Sequence, residues 1–247
     1  ISTLTLLSRV LGFVRDMLMT SILGASPIMD GFLIAFRMPN FFRRLFAEGA
    51  FSNTFIPIFS RLLKTNEVLA RRFASDVQVY LLASLSLFVI IFEVLLPIFM
   101  GIFAPGLLPG THRYDLVFNM TAIIFPYIFL ISWASFYGSI LQSLHHFGKS
   151  SAIPLWLNVA LIGGLCWMLL EKSMDPYILS WSVLWGGIIQ VFWAMGCGKN
   201  AGWFIVYKRP QMSSYVKELF SKIGPGILGG GIIQVNLFID TILASFL

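Results

Sequence analysis

The sequence predicts an all-α polytopic membrane helix bundle, and three observations carry that prediction. Of its 247 residues, 57% are hydrophobic and only 11% are charged, less than half the roughly 25% charge of an ordinary soluble domain. The mean hydropathy is +0.84, far too apolar for a disordered chain. The apolar residues, 24 phenylalanines among them, fall in long continuous runs. Such runs read as helices, because a β-barrel shows short alternating segments and an open sheet cannot satisfy its backbone in lipid.

Seven membrane segments can be counted: about 1–24, 27–63, 77–103, 116–144, 152–170, 177–197 and 223–247. All but the second fit a span of roughly 17–25 residues with some tilt. The second is too long for one straight span, and Pro39, Gly49 and Pro57 are natural places for it to kink or leave the membrane. Residues 212–222, just before the seventh segment, are amphipathic and read as an interfacial helix. The chain begins at Ile1 without an initiator Met and stops inside an apolar run. It is therefore expected to be part of a longer protein. Residues 1–24 lack the basic n-region of a signal peptide.

The net charge is +6. In a soluble protein the accompanying pI of about 9.5 would suggest a nucleic-acid partner. Here the basic residues lie mostly between apolar runs, so the excess reads as topology bias and no nucleic-acid partner is expected. With a cytoplasmic N-terminus, thirteen Lys and Arg face inward, in 37–76, at Lys149 and in 198–222; only Arg113 and Lys172 face outward. The positive-inside rule supports that orientation. Two cysteines exclude a disulfide scaffold. They have no zinc spacing, and Cys166 and Cys197 read as small apolar packers.

The first segment holds the clearest anomaly. Arg9, Arg15 and Asp16 interrupt an otherwise apolar helix, and a mid-bilayer charge costs about 2.5–3.5 kcal/mol on insertion scales. At roughly 100° per residue, Arg9 and Asp16 lie within about 20° of one face, whereas Arg9 and Arg15 lie about 120° apart. A bend near Gly12, or a wide cavity, would let both arginines line one site. The alternative is snorkelling to the two interfaces plus a local Arg15–Asp16 contact. In the second segment Asp30, Arg37 and Arg44 recur every seven residues, Arg43 lies beside them, and Arg44 and Glu48 are spaced for an i,i+4 pair. A basic cluster on anionic head groups is the competing reading there.

Guanidinium stays charged and offers a planar fork of donors suited to phosphate and diphosphate. An arginine-rich cavity therefore suggests an anionic cargo. In the seventh segment Asn236 and Asp240 form an i,i+4 pair beside Thr241, with Gln234 nearby. These oxygens can hold Na⁺ or a proton, or serve as polar glue between helices. Pro225 and Gly229–Gly231 suit either a moving gate or close packing. Glu93 either pairs with an arginine or sits near the outer interface. His145 and His146 read as structural or interfacial. His112 to Asp115 would be the place to seek a membrane acyltransferase or phosphatase, but no Ser–His–Asp, H-E-x-x-H or P-loop pattern accompanies it.

Three motifs carry a family resemblance: SRVLGFVRD at 8–16, MDGFLIAFRMPN at 29–40 and FRRLFAEGAFS at 42–52. Together with FPYI at 125–128, GPGI at 224–227 and TILASFL at 241–247, they resemble the MurJ (MviN) family of lipid II flippases in the MOP exporter superfamily. The resemblance covers essentially the whole chain. It implies a fold of two six-helix lobes around a central cavity, with residues 1–197 as the first lobe, 198–222 as a cytoplasmic loop and 223–247 as the seventh helix, opening a second lobe. It implies that Arg9 and Arg15 engage a diphosphate, with Asp16, Asp30, Arg43 and Glu48 at charged family positions, and that Asp240 matches a sodium-site acid of some members.

The expected function is therefore alternating-access transfer of undecaprenyl-diphosphate-linked peptidoglycan precursor between leaflets of the bacterial cytoplasmic membrane. No cofactor and no covalent chemistry are expected, with Na⁺ or the membrane potential as the candidate coupling. The expected partners are lipid II, membrane lipids and the cell-wall synthesis machinery. The rivals are an exporter of another lipid-linked glycan or a drug, a non-transporting scaffold of cell-wall assembly, and a membrane enzyme of lipid metabolism. The arginines argue against a cationic drug.

Overall fold

The computed structural model describes residues 2–43, 51–172, 174–203 and 209–225. Within them the chain forms helices α1 (Ser2–Leu23), α2 (Pro27–Arg43), α3 (Phe51–Thr65), α4 (Glu67–Val94), α5 (Leu96–Phe103), α6 (His112–Ile124), α7 (Tyr127–Ser143), α8 (Phe147–Ser151), α9 (Ile153–Glu171) and α10 (Tyr177–Asn200). Residues 214–225 are also helical, and no strand occurs among the described residues. The all-α expectation holds.

Local chemistry sets the helix ends. Gly24 closes α1 at φ 55°, a left-handed position where glycine has no Cβ penalty, and its N–H reaches Thr20 O at 3.0 Å. Pro27 opens α2, where a missing N–H costs nothing, while Ser26 Oγ accepts from Met29 N. Asn66 and Thr111 cap α4 and α6 by accepting from the N–H groups of Leu69 and Tyr114.

Several segment boundaries differ from the sequence expectation. The long second segment is described as α2 and α3; residues 44–50 between them, Gly49 included, lie outside the described residues. Each helix runs through its own proline, Pro39 and Pro57. The third begins at Glu67 rather than 77, because the Asn66 cap starts the helix well before the apolar run. At 28 residues α4 is about 42 Å long, more than the roughly 30 Å hydrocarbon core, and its exposed first turns carry Glu67, Arg71 and Arg72. The fourth begins at His112 and is interrupted at Phe125 and Pro126 between α6 and α7. Among the described residues, four helical stretches are long and apolar enough to cross a membrane: Glu67–Val94, His112–Ser143, Phe147–Glu171 and Tyr177–Asn200. The seventh segment lies outside the described residues apart from 223–225.

Helix α7 sits at the centre, touching α2, α3, α4, α8 and α10, and α10 packs most closely on α9 and α7. Small residues permit that approach, as bilayer helices require. A Cβ on Gly187 would meet Tyr127 at 2.8 Å and Leu130 at 2.9 Å, and one on Gly186 would meet Leu157 at 3.0 Å. A buried polar knot ties the three helices: Tyr127 Oη donates to Gln190 Oε1 at 3.2 Å, and Gln190 Nε2 donates to Ile153 O at 2.9 Å. A ladder of stacked rings, Phe51, Phe55 and Phe59 on α3, continues onto Phe73 of α4.

Residues 209–225 strap onto α3 and α4. Val216 and Leu219 are buried, Phe220 meets Tyr80 edge-on, and buried Asp76 accepts from Gln211 N at 3.1 Å. Arg61 reaches Glu218 at 2.8 Å. Val216 and Leu219 of the amphipathic 212–222 stretch are thus covered by protein, whereas Met212 and Phe220 stay exposed, and its helix continues to 225.

Candidate functional site

Helices α1, α2 and α9 enclose a cavity of about 260 Å³, lined by Arg15, Asp16, Thr20, Met29, Phe32 and Phe36 among others. Arg15 is the chemical centre of this cavity. Its Nε and Nη2 donate to Asp16 Oδ1 at 2.9 and 2.7 Å, and its Nη1 donates to Asn158 Oδ1 at 2.9 Å. Asn158 Nδ2 in turn donates to the carbonyl of Ser8 at 3.3 Å. One carboxamide therefore locks α9 to α1 and aims the guanidinium.

The two contacts of Arg15 differ in kind. Its side chain is 22% exposed, whereas that of Asp16 is 64% exposed. An ion pair to so open a carboxylate is worth about 0–1 kcal/mol, so an incoming anion can take it over cheaply. Asn158 is buried, and its hold on the fork persists while Asp16 is displaced. Three of the five guanidinium N–H groups are engaged, which leaves two for a ligand even before Asp16 moves.

Arg9 is not brought to the same spot. Helix α1 is continuous through Gly12, with no break there. Arg9 therefore stays about 120° around the helix and roughly 9 Å along its axis from Arg15. It is exposed and forms no hydrogen bond or ion pair among the described residues. It shares the Asp16 face, as its spacing predicts. The reason is regular helix geometry: with no bend at Gly12, the two arginines share a site only where a wide cavity spans both faces of α1.

Asp30 and Arg43 occupy opposite ends of α2, about 20 Å apart along its axis. Asp30 faces Arg113 of α6 at 3.9 Å, both side chains being exposed. Arg43 Nε donates to Asn40 Oδ1 at 3.1 Å. Glu48, Arg44 and Asp240 lie outside the described residues. Glu93 makes no ion pair with an arginine among the described residues, and its Oε1 is buried without a partner.

Sequence reasoning missed Asn158 and Arg113. The signal for Asn158 was present: it is the one carboxamide in the apolar run from Ile153 to Leu170, and an amide inside an apolar span calls for a partner on another helix. Arg113 offers no comparable signal, because a surface arginine at a helix start is ordinary.

Comparison with known proteins adds an independent line. Residues 19–247 match the family model described as Lipid II flippase MurJ. The "Probable lipid II flippase MurJ" of Rhizobium tropici is 36% identical over 247 residues, covering 98% of this chain and 46% of that protein. That of Rhizobium meliloti (strain 1021) is 37% identical over 246 residues, with 98% and 46% covered. The chain spans about half the length of the curated relatives it matches. Among solved structures, "Lipid II flippase MurJ, inward closed conformation" superposes with a TM-score of 0.79 at 22% identity, covering 99% of this chain and 50% of that one.

Proposed function

Because the chain belongs to the lipid II flippase MurJ family, we propose that it forms the first lobe of a transporter that passes lipid II from the inner to the outer leaflet of the bacterial cytoplasmic membrane. The observation that carries this reading is Arg15, held by Asn158 at the edge of a cavity between α1, α2 and α9. A guanidinium with two spare donors and a displaceable acid suits a diphosphate, which it can grip bidentately. Arg9, unpaired and about 1.7 turns away, adds the net positive charge that the neutral Arg15–Asp16 pair lacks. The lipid tail remains in the bilayer while the lobes rock around the head group. Transport on this reading needs no covalent step.

The N-terminus is cytoplasmic on this reading, supported by the thirteen-to-two excess of basic residues on that side. An inside-negative potential then favours outward movement of the anionic head group by about 2.3 kcal/mol per charge per 100 mV. Asp240 is proposed as a sodium ligand, Arg43 and Glu48 as further head-group contacts, and the cell-wall synthesis machinery as a partner that consumes the delivered precursor. Asp30 is proposed to act from the far end of α2, against Arg113.

The test is direct binding of lipid II to the purified full-length protein and its Arg15→Ala variant. The expected result is roughly tenfold or greater weakening, since one charge-assisted bond is worth about 1.5–3 kcal/mol. Equal binding by a correctly folded variant removes Arg15 from the head-group site.

A further inference from the structure

On another flank of the lobe, α1, α8, α9 and α10 frame a groove of about 420 Å³, inside the roughly 300–1,000 Å³ range of small-ligand sites. Its walls are apolar: Leu7 and Leu11 on one side, Val159 and Trp156 on the other. The Trp156 and Trp193 rings lie 5.2 Å apart. Lys149 stands at one end of the groove. Trp193 Nε1 donates to the Lys149 carbonyl at 3.2 Å, which pins that rim. The ammonium of Lys149 makes no ion pair or hydrogen bond among the described residues. No acidic side chain lines the groove, and none occurs from Phe147 to Leu170.

A bilayer covers any apolar face, but this one has a direction. Lys149 precedes Val159 by ten residues along α8 and α9, so the site runs from a lone cation into hydrocarbon over roughly 10–15 Å. Indole rings beside a cation mark the level of lipid head groups, and basic pockets between membrane helices take anionic head groups. We propose that this groove seats one acyl chain of an anionic glycerophospholipid, with its phosphate on Lys149. Bound there, the lipid wedges α1 against α9 and α10, and so links membrane composition to the helix that carries Arg15. The proposal rests on the groove alone and stands whether or not the transport reading does.

The two tryptophans make the test direct. The full-length protein is placed in nanodiscs containing phosphatidylglycerol or phosphatidylcholine with brominated acyl chains, each as a minor lipid, and tryptophan quenching is compared. Phosphatidylglycerol is expected to quench in excess of phosphatidylcholine at equal mole fraction. That excess should vanish in W156F/W193F, fall roughly fivefold in Lys149→Gln, since a lysine near the membrane surface contributes about 1 kcal/mol, and persist in Lys149→Arg. Equal quenching by the two lipids overturns the proposal, as does an excess that Lys149→Gln leaves intact.

Discussion

Asn158→Ala is the substitution that best separates a positioned arginine from a merely present one. It removes two hydrogen bonds: the 2.9 Å contact that Arg15 donates and the 3.3 Å bond to the Ser8 carbonyl. A charge-assisted bond is worth about 1.5–3 kcal/mol in soluble proteins, but polar bonds between bilayer helices average about 0.6 and reach about 1.7 kcal/mol. The longer carbonyl bond belongs at the low end, so the pair should contribute about 1–2 kcal/mol. If most of that loss appears as a misdirected guanidinium, lipid II capture should fall about tenfold, because 1.36 kcal/mol corresponds to a factor of ten. Asn158→Asp serves as the contrast. It sets a second carboxylate against Arg15, so thermal stability should hold or rise while capture falls further, the fork now being neutralised twice. The assay is head-group binding and thermal unfolding on the same full-length preparations. Unchanged binding in Asn158→Ala, or binding that tracks stability across both variants, would refute the positioning argument and leave Asn158 as helix glue.

Gly187→Leu drives a side chain into Tyr127 and Leu130 and should destabilise by about 1–3 kcal/mol as overpacking, read as a lower unfolding temperature. Gln190→Ala removes the bonds it makes with Tyr127 Oη and the Ile153 carbonyl, each worth about 0.5–1.5 kcal/mol by the same readout. Asp30→Ala should change stability by less than about 1 kcal/mol, because the 3.9 Å pair with Arg113 is exposed; a loss of transport in that variant therefore reports on function. Hydrogen bonds from Lys222 and then Arg61 hold the Glu218 carboxyl below the usual carboxylate range. A depressed value means the docking of 214–225 is fully supported above about pH 4.3 and weakens as pH falls through the folded value. Hydrogen exchange in 214–225 should rise on acidification, and Glu218→Gln should remove that dependence.

The fold class was legible because the length of an apolar run is read directly from the order of residues and needs no tertiary contact. Helix ends were less so. The start of α4 at Glu67 depends on a cap by Asn66 that lies outside the apolar run. Within the site, the Arg15–Asp16 contact was readable from adjacency. The separation of Arg9 from Arg15 was readable from helical periodicity, and the convergence that a bend at Gly12 would have produced is absent from a continuous α1. A lone carboxamide in an apolar run marks Asn158 as needing a partner on another helix, but not which one, since that contact exists only once α9 lies beside α1, 143 positions along the chain from Arg15. The same holds for Arg113 and Asp30, joined across α6 and α2.

The central claim is that arginines of α1 capture a diphosphate-linked lipid for transfer between leaflets. The most direct measurement places full-length Arg9→Ala and Arg15→Ala variants in cells depleted of their own flippase, verifies their membrane levels, and quantifies lipid II in the outer leaflet. The expected result is normal protein levels with lipid II retained in the inner leaflet, most severely for Arg15→Ala. Undiminished outer-leaflet lipid II in both variants would contradict it.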